Sequence, residues 1–295
     1  MKSASVVIAS IVGPPFIDDC LVSLESQVAK CGAEVIVVAC GTADYAARLA
    51  GKFPWVRVIH RAERESVPEL RLHGLEAARG DVVAIIEEHC LAAPDWLERA
   101  LEAHAGGDYG AVGGPVADSA YPRLVDWVVY FCEYNSYLPP WREGEWQDLG
   151  SANIAYSRAV LLRYRELLGA GYWEAALHPR LLADGVKFKP APAMLVHHRG
   201  PFAFGYYLGQ RYWFSRAFAG ARGLPASRKA IYCLASPLVP FLLLVRMAQR
   251  VWRKRCHVGK FVQSVPLLIP VLTVYVVGEL VGYVAGPGDA LSKVE

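Results

Sequence analysis

Glu87, Glu88 and His89 interrupt an otherwise apolar segment, VVAIIEEHCLAAPDWLE over Val82–Glu98. A carboxylate and an imidazole at the end of a strand can hold a divalent cation, and such a cation neutralises a diphosphate. Glu87 and His89 form the outer pair, with Glu88 between them. In the alternative reading the glutamates merely cap the helix that starts near Asp95. A second pair, His197 and His198, follows the strand-like run Met194-Leu195-Val196. Neighbouring side chains on a strand point to opposite faces, so one of the two is expected to face a site. His89 with Cys90 and one of these histidines would suit zinc, but the Cys and His residues lack close paired spacing. Farther on, YYLGQRYWFSR over Tyr206–Arg216 carries Arg211 and Arg216. Guanidinium groups match phosphate oxygens, whether on a diphosphate or on lipid headgroups.

The elements that must position these groups alternate. Short apolar runs at Ser5–Ala9, Glu34–Ala39, Val56–Ile59 and Val82–Ile86 read as strands. Helix-like stretches separate them, the first running through Cys20, Leu21, Leu24 and Val28. This alternation predicts an α/β domain with an open, mostly parallel sheet flanked by helices. Ligands bind beyond the carboxyl ends of such strands, which directs attention to Ser10, to Cys40–Asp44 and to Glu87–Cys90. Leu124–Tyr137 reads as a helix and Tyr137–Trp146 as a loop. In that loop Trp141 and Trp146 either line a cleft or pack beneath it.

Charge is unevenly distributed. Met1–Asp184 holds 16 Lys/Arg and 25 Asp/Glu, whereas Gly185–Gly278 holds 14 Lys/Arg and no acidic residue. Cations mixed with apolar runs point to phospholipid headgroups or phosphates, and speak against nucleic acid as partner. Ala230–Val245 is a 16-residue run without charge. As a helix it reaches about 24 Å, short of a ~30 Å hydrocarbon core, so it is expected to be interfacial or re-entrant. Phe261–Ala285 is expected to span the membrane, with the intervening Arg/Lys cluster in the cytoplasm. A hairpin of two spans is the alternative. The seven cysteines are odd in number and form no CxxC pair, as in a reduced compartment. Met1–Ser10 shows no long apolar core or cleavage site, so the bulk of the chain is expected to begin in the cytoplasm, at the cell membrane.

Taken in order, these segments resemble family-2 glycosyltransferases, which have a GT-A-type fold. Their strand-end motif is Asp-x-Asp followed by Pro and an acidic-aromatic-Leu helix start, and Pro94-Asp95-Trp96-Leu97 matches that spacing. Glu87 and His89 stand where the two aspartates are usual. SVVIAS resembles the first strand and places Ser10 beside the nucleotide. EVIVVACGTAD resembles the second, with Ala39 and Cys40 in place of two aspartates and Asp44 remaining. Arg71, Gly74 and the AARGD of Ala77–Asp81 resemble the Arg-containing helix leading to the metal strand. Gly150-Ser151-Ala152-Asn153 resembles the acceptor-side turn, where small residues let backbone amides approach a phosphate or sugar. An ordinary strand-linking turn would read the same way. Trp173-Glu174, Leu177, Arg180-Leu181 and Gly185 follow the Glu-Asp…Arg-Leu pattern, in which the second acid is the general base of inverting members.

The resemblance covers about Ser5–Gly220. It implies a catalytic domain over 1–220 and a membrane-attachment segment over 221–295. It also implies Mg²⁺ or Mn²⁺ at Glu87 and His89 with His197 or His198, and Glu174 as base. Ser10, Asp44, Arg71, Glu88 and Arg211 would contact a nucleotide-sugar donor, and Gly150, Ser151 and Asn153 would lie on the acceptor side. The acceptor would be a glycan or a polyprenyl-linked molecule held at the membrane. The rival reading is a catalytically silent relative that binds nucleotide sugar or recruits partners there.

Overall fold

The computed structural model describes residues 2–144, 148–169, 177–200 and 202–294. Glu174, Trp173 and Trp146 lie outside the described residues. The chain divides into two compact units, Met1–Ser119 with Pro139–Arg199, and Ala120–Leu138 with Gly200–Glu295.

The first unit begins with β1 (Ala4–Ser10), α1 (Phe16–Cys31), β2 (Glu34–Cys40), α2 (Ala43–Lys52), β3 (Val56–Arg61), α3 (Val67–Ala77) and β4 (Val82–Ile86). Then come β5 (Cys90–Ala92), α4 (Trp96–Ala105), β6 (Ala111–Gly113) and β7 (Val116–Asp118). Helix α5 (Leu124–Tyr134) belongs to the second unit. The first unit resumes with β8 (Asn153–Ser157), α6 (Arg158–Arg163), α7 (Arg165–Gly169), α8 (His178–Ala183), β9 (Phe188–Pro190) and β10 (Val196–His198).

Among the described residues seven strands form the main sheet, in the order β3-β2-β1-β4-β8-β6-β9. β1 to β4 pair in parallel, and β8 runs antiparallel to both β4 and β6. β1, β2 and β4 are almost wholly buried, which is why their sequences are continuous apolar runs rather than alternating ones. A smaller sheet, β5-β10-β7, holds the two histidines of β10.

Helix α3 is set firmly against β1. Ser66 and Glu69 close a reciprocal capping box at its start. A Cβ at Gly74 would stand 2.3 Å from Cγ1 of Val7, so only glycine allows this approach. Asn153, at the start of β8, ties the two sheets together. Its Nδ2 donates to the carbonyls of Pro115 (2.8 Å) and Met194 (2.6 Å), and its Oδ1 accepts from Nε1 of Trp96 (2.7 Å).

The second unit contains α5, α9 (Phe204–Ala221), α10 (Ala226–Ala235), α11 (Val239–Lys254) and α12 (Val258–Ala285). The helix expected over Leu124–Tyr137 is α5 continued by a 3₁₀ turn over Asn135–Tyr137. Gly278 and Gly282 let α12 press on α9: added Cβ atoms would stand 2.5 Å from the Tyr212 carbonyl oxygen and 2.6 Å from that of Arg216. The compact units therefore part differently from the expected boundary at 220. Helix α9 goes with the C-terminal helices because small residues on both let the backbones meet.

Among the described residues two helical stretches are long and apolar enough to cross a membrane, Ala226–Lys254 and Val258–Ala285. The uncharged run Ala230–Val245 lies inside the first, so its shortness as a run does not limit the helix. The second, expected as the span, is the more buried of the two, because it packs on α9.

Candidate functional site

Strand β4 delivers its three polar residues into a loop closed by the Cys90 amide donating to the Glu87 carbonyl at 2.9 Å. Adjacent carboxylates then take opposite courses. Glu88 is only 5% exposed. Its Oε1 accepts from the amides of Ile11 and Val12, both at 2.8 Å. Its Oε2 accepts from the Gly13 amide at 2.9 Å and the Ser10 hydroxyl at 2.6 Å. Successive amides aimed at one anion form a nest, and charge-assisted bonds of this kind are the strong ones. Ser10 spends its proton on Glu88, so Tyr45 donates to the Ser10 oxygen at 2.5 Å. Burial pushes the Tyr45 phenol up to about 12, which keeps it protonated and able to donate.

Glu87 is more open. Its Oε1 receives Nη2 of Arg71 at 3.5 Å and Oγ of Ser151 at 3.4 Å. Its Oε2 stands 3.3 Å from Nε2 of His89. The His89 ring meets that of His198 edge to face, with centroids 5.0 Å apart. Burial, with His89 alongside, holds His198 well below the usual histidine range, so it is neutral. The β10 alternation sends His197 the other way, where its Nδ1 lies 2.9 Å from the Asp118 carbonyl. The backbone is pinned where the Arg199 amide donates to the His89 carbonyl at 2.7 Å, and Arg199 pairs with Asp19.

Glu87, His89, His198, Arg71 and Ser151 are thus brought together beyond the carboxyl ends of β1 and β4. Ser10 and Glu88 lie next to them as one buried support. Gly150 closes the turn that presents Ser151, its carbonyl accepting from the Asn153 amide at 3.1 Å. Five expected site residues read differently. Glu88 has its oxygens filled by the loop after β1, so it shapes that loop rather than meeting a donor directly. Asn153 is fully buried with its amide engaged on three sides, so it positions Ser151 instead of touching an acceptor. Arg211 lies in the second unit, where Glu133 takes up its charge. His197 is turned out of the cluster. Asp44 sits exposed in the first turn of α2, paired with Arg48 at 3.1 Å. Trp141 is buried, which favours packing over a cleft wall.

The sequence reading passed over Tyr45, although an aromatic in the first turn after β2 was a usable signal. It also passed over the Asp19–Arg199 pair, which joins residues far apart in the chain and left no local trace.

For a metal, Glu87 and His89 are the donors the cluster offers. Among the described residues no group of three His, Cys, Asp or Glu side chains converges as a metal site. Magnesium-type ions are held by one or two protein ligands together with substrate phosphates, and the two donors present fit that mode. Zinc fits less well, since burial pushes the Cys90 thiol up and so keeps it from ligating as thiolate.

The sequence model of the glycosyl transferase family 2 matches residues 5–165. A human protein, polypeptide N-acetylgalactosaminyltransferase 15, is 33% identical over 87 residues, which is 30% of this chain and 12% of that protein. This chain therefore matches only a small part of that relative's length. Among solved structures, the mannosyltransferase PcManGT from Pyrobaculum calidifontis, in complex with GDP-Man and Mn²⁺, superposes with a TM-score of 0.54 at 17% identity. The match covers 97% of this chain and 87% of that one. Glucosyl-3-phosphoglycerate synthase from Mycobacterium tuberculosis matches more loosely, with a TM-score of 0.46 at 17% identity over 68% of this chain and 72% of that one. Likeness at such identities speaks to the fold alone.

Proposed function

This chain belongs to glycosyl transferase family 2 and has the GT-A-type fold, and from that premise we propose that it moves a sugar from a nucleotide-sugar donor to an acceptor held at a membrane. The observation that carries the reading is the cluster of Glu87, His89, Arg71 and Ser151 at the sheet's ligand-binding edge, beside the loop braced by Glu88. The mannosyltransferase of similar fold was solved with GDP-Man and Mn²⁺. In this reading Glu87 and His89 hold Mg²⁺ or Mn²⁺, which when bound neutralises charge on the leaving diphosphate.

The chain's own residues do the rest. Arg71, buried beside Glu87, adds positive charge where a diphosphate would lie. His198, kept neutral by burial, fixes the ring of His89 by its edge contact. Glu174 takes the acceptor proton in an inverting displacement, a role that rests on the family pattern. Membrane attachment is supported by the apolar stripe along α10, the 3₁₀ turn over Ser236–Leu238 and α11. Ile231, Leu234, Leu238 and Phe241 recur at helical spacing and are all more than half exposed. The catalytic unit then lies on the cytoplasmic side with the Arg/Lys cluster.

The test is nucleotide release by membrane preparations supplied with UDP-, GDP- and dTDP-sugars and either cation. Wild type releases nucleotide with one donor, and Glu174→Gln abolishes most of it. Unchanged release in the mutant removes Glu174 as base. Silence with every donor, even with lipid extract as acceptor, favours a silent binding subunit.

A further inference from the structure

The stretch Ala226–Lys254 runs through α10, the 3₁₀ turn and α11 with few of its side chains buried. Leu234, Leu238 and Phe241 are each more than two-thirds exposed, and Trp252 is half exposed. Phe241, Leu242 and Trp252 follow Leu238 by three, four and fourteen residues, which puts all four on one face of a helix. Met247 and Val251 on the opposite side are buried. A long apolar face left in water is unfavourable, so it calls for a cover.

Charge indicates what the cover is. The described carboxylates of this unit are all engaged: Asp126 with Arg123, Glu133 with Arg211, Glu279 with Arg222 and Asp289 with Lys293. Arg246 and Arg253 are exposed, and at seven residues apart they border the apolar face on the same side. Among the described residues of this unit neither has an acidic partner. A second copy of the chain would bring more cations to the contact and no carboxylate to meet them. An anionic bilayer supplies hydrocarbon and phosphate together, and a basic helix with an apolar face containing Trp suits its interface.

The same charges decide between crossing and lying flat. Arg228 and Lys229 precede the uncharged run Ala230–Val245, and Arg246 follows it. That run covers about 24 Å as a helix, against a hydrocarbon core of ~30 Å. A crossing helix carries its cations mainly at one end. Cations at both ends place both ends in one headgroup layer. We propose that Ala226–Lys254 lies within a single leaflet of an anionic bilayer, with Leu234, Leu238, Phe241 and Trp252 among the acyl chains and Arg246 and Arg253 on lipid phosphates. The proposal rests on the membrane-attached reading of the protein and deepens it: attachment by this stretch is in-plane and selects anionic lipid.

Two measurements on the full chain test it. The first is hydrogen exchange over Ala226–Lys254 in phosphatidylcholine nanodiscs, with and without phosphatidylglycerol. Wild type exchanges about tenfold more slowly with phosphatidylglycerol, and Arg246→Gln/Arg253→Gln loses most of that difference. The second keeps both arginines and so covers the case in which the double variant fails to fold. Phe241→Trp adds fluorescence near the middle of the uncharged run, read in phosphatidylglycerol vesicles whose acyl chains carry bromine as quencher. Bromine near the headgroup end quenches the added signal more than bromine near the terminal methyl. The reverse order means that the stretch crosses, and overturns the proposal. So does exchange that ignores phosphatidylglycerol in wild type, or that responds equally in the double variant. Protection that follows protein concentration rather than lipid charge assigns the face to a second copy and also overturns it. Nucleotide release is read on the same nanodiscs. Arginine-dependent protection without donor turnover upholds the in-plane seat and counts against the transferase. Turnover without that protection does the reverse.

Discussion

The loop after β1 and the cluster after β4 both depend on a glutamate, from adjacent positions in the chain. Around Glu88 every oxygen is filled at 2.6–2.9 Å by the backbone or by Ser10. Around Glu87, Arg71, Ser151 and His89 stand at longer distances, 3.3–3.5 Å, and these are side chains that can rearrange. The first carboxylate is part of the framework. The second is met by side chains and not by the backbone. A buried charge satisfied by backbone cannot also bind, because a ligand would have to replace strong bonds that the fold needs.

The largest expected effect comes from Glu88→Ala, which strands the amides of Ile11, Val12 and Gly13 and the Ser10 hydroxyl. Denaturant unfolding should show a loss of about 3 kcal/mol, and nucleotide release should fall with it. An unchanged midpoint would mean that the loop after β1 holds its shape without this carboxylate. Glu87→Ala should do the opposite: stability within about 1 kcal/mol of wild type, but nucleotide release down by about 100-fold or more. Equal destabilisation by the two substitutions would erase the distinction between them.

Acid sharpens the comparison through the buried histidines. Burial lowers His104 from 6.5 to about 4, although its Nε2 lies 3.0 Å from the Ala155 carbonyl. His198 is also held well below 6.5. Below 6.5 the unfolded chain takes up protons that the folded chain refuses. Stability is therefore complete above 6.5 and falls as pH drops, through the window down to about 4 for His104. Each such group adds a slope of up to about 1.4 kcal/mol per pH unit. Unfolding midpoints measured between neutral pH and that lower limit should follow this fall, and His104→Asn should flatten it. The smallest effect is Tyr45→Phe. Losing the bond to Ser10 should cost about 1 kcal/mol in unfolding, with a modest rise in the donor KM.

The four parallel strands were readable because strands buried on both faces are written as unbroken apolar runs. Val82–Ile86 has the same limits in the chain and in the structure, whereas β3 runs on from Ile59 to Arg61 because neighbouring β2 extends its pairing. The position of the cluster was readable too, since polar residues that end such a run must emerge at the sheet's edge. The different fates of Glu87 and Glu88 were not, because identical side chains on adjacent residues carry no mark of which face meets the loop. The grouping of α9 with α12 was equally hidden, since Gly278 and Gly282 do not reveal which backbone approaches them.

The sequence by itself determined the buried strands, the strand-end chemistry, the cationic second half and the family pattern, all of which depend on local composition and order. Tertiary structure alone decided which carboxylate became framework, which histidine turned inward, where Asn153 spent its amide, and which side of α11 was left exposed. Those outcomes depend on hydrogen-bond partners and close approaches between segments far apart in the chain, and no local pattern encodes them.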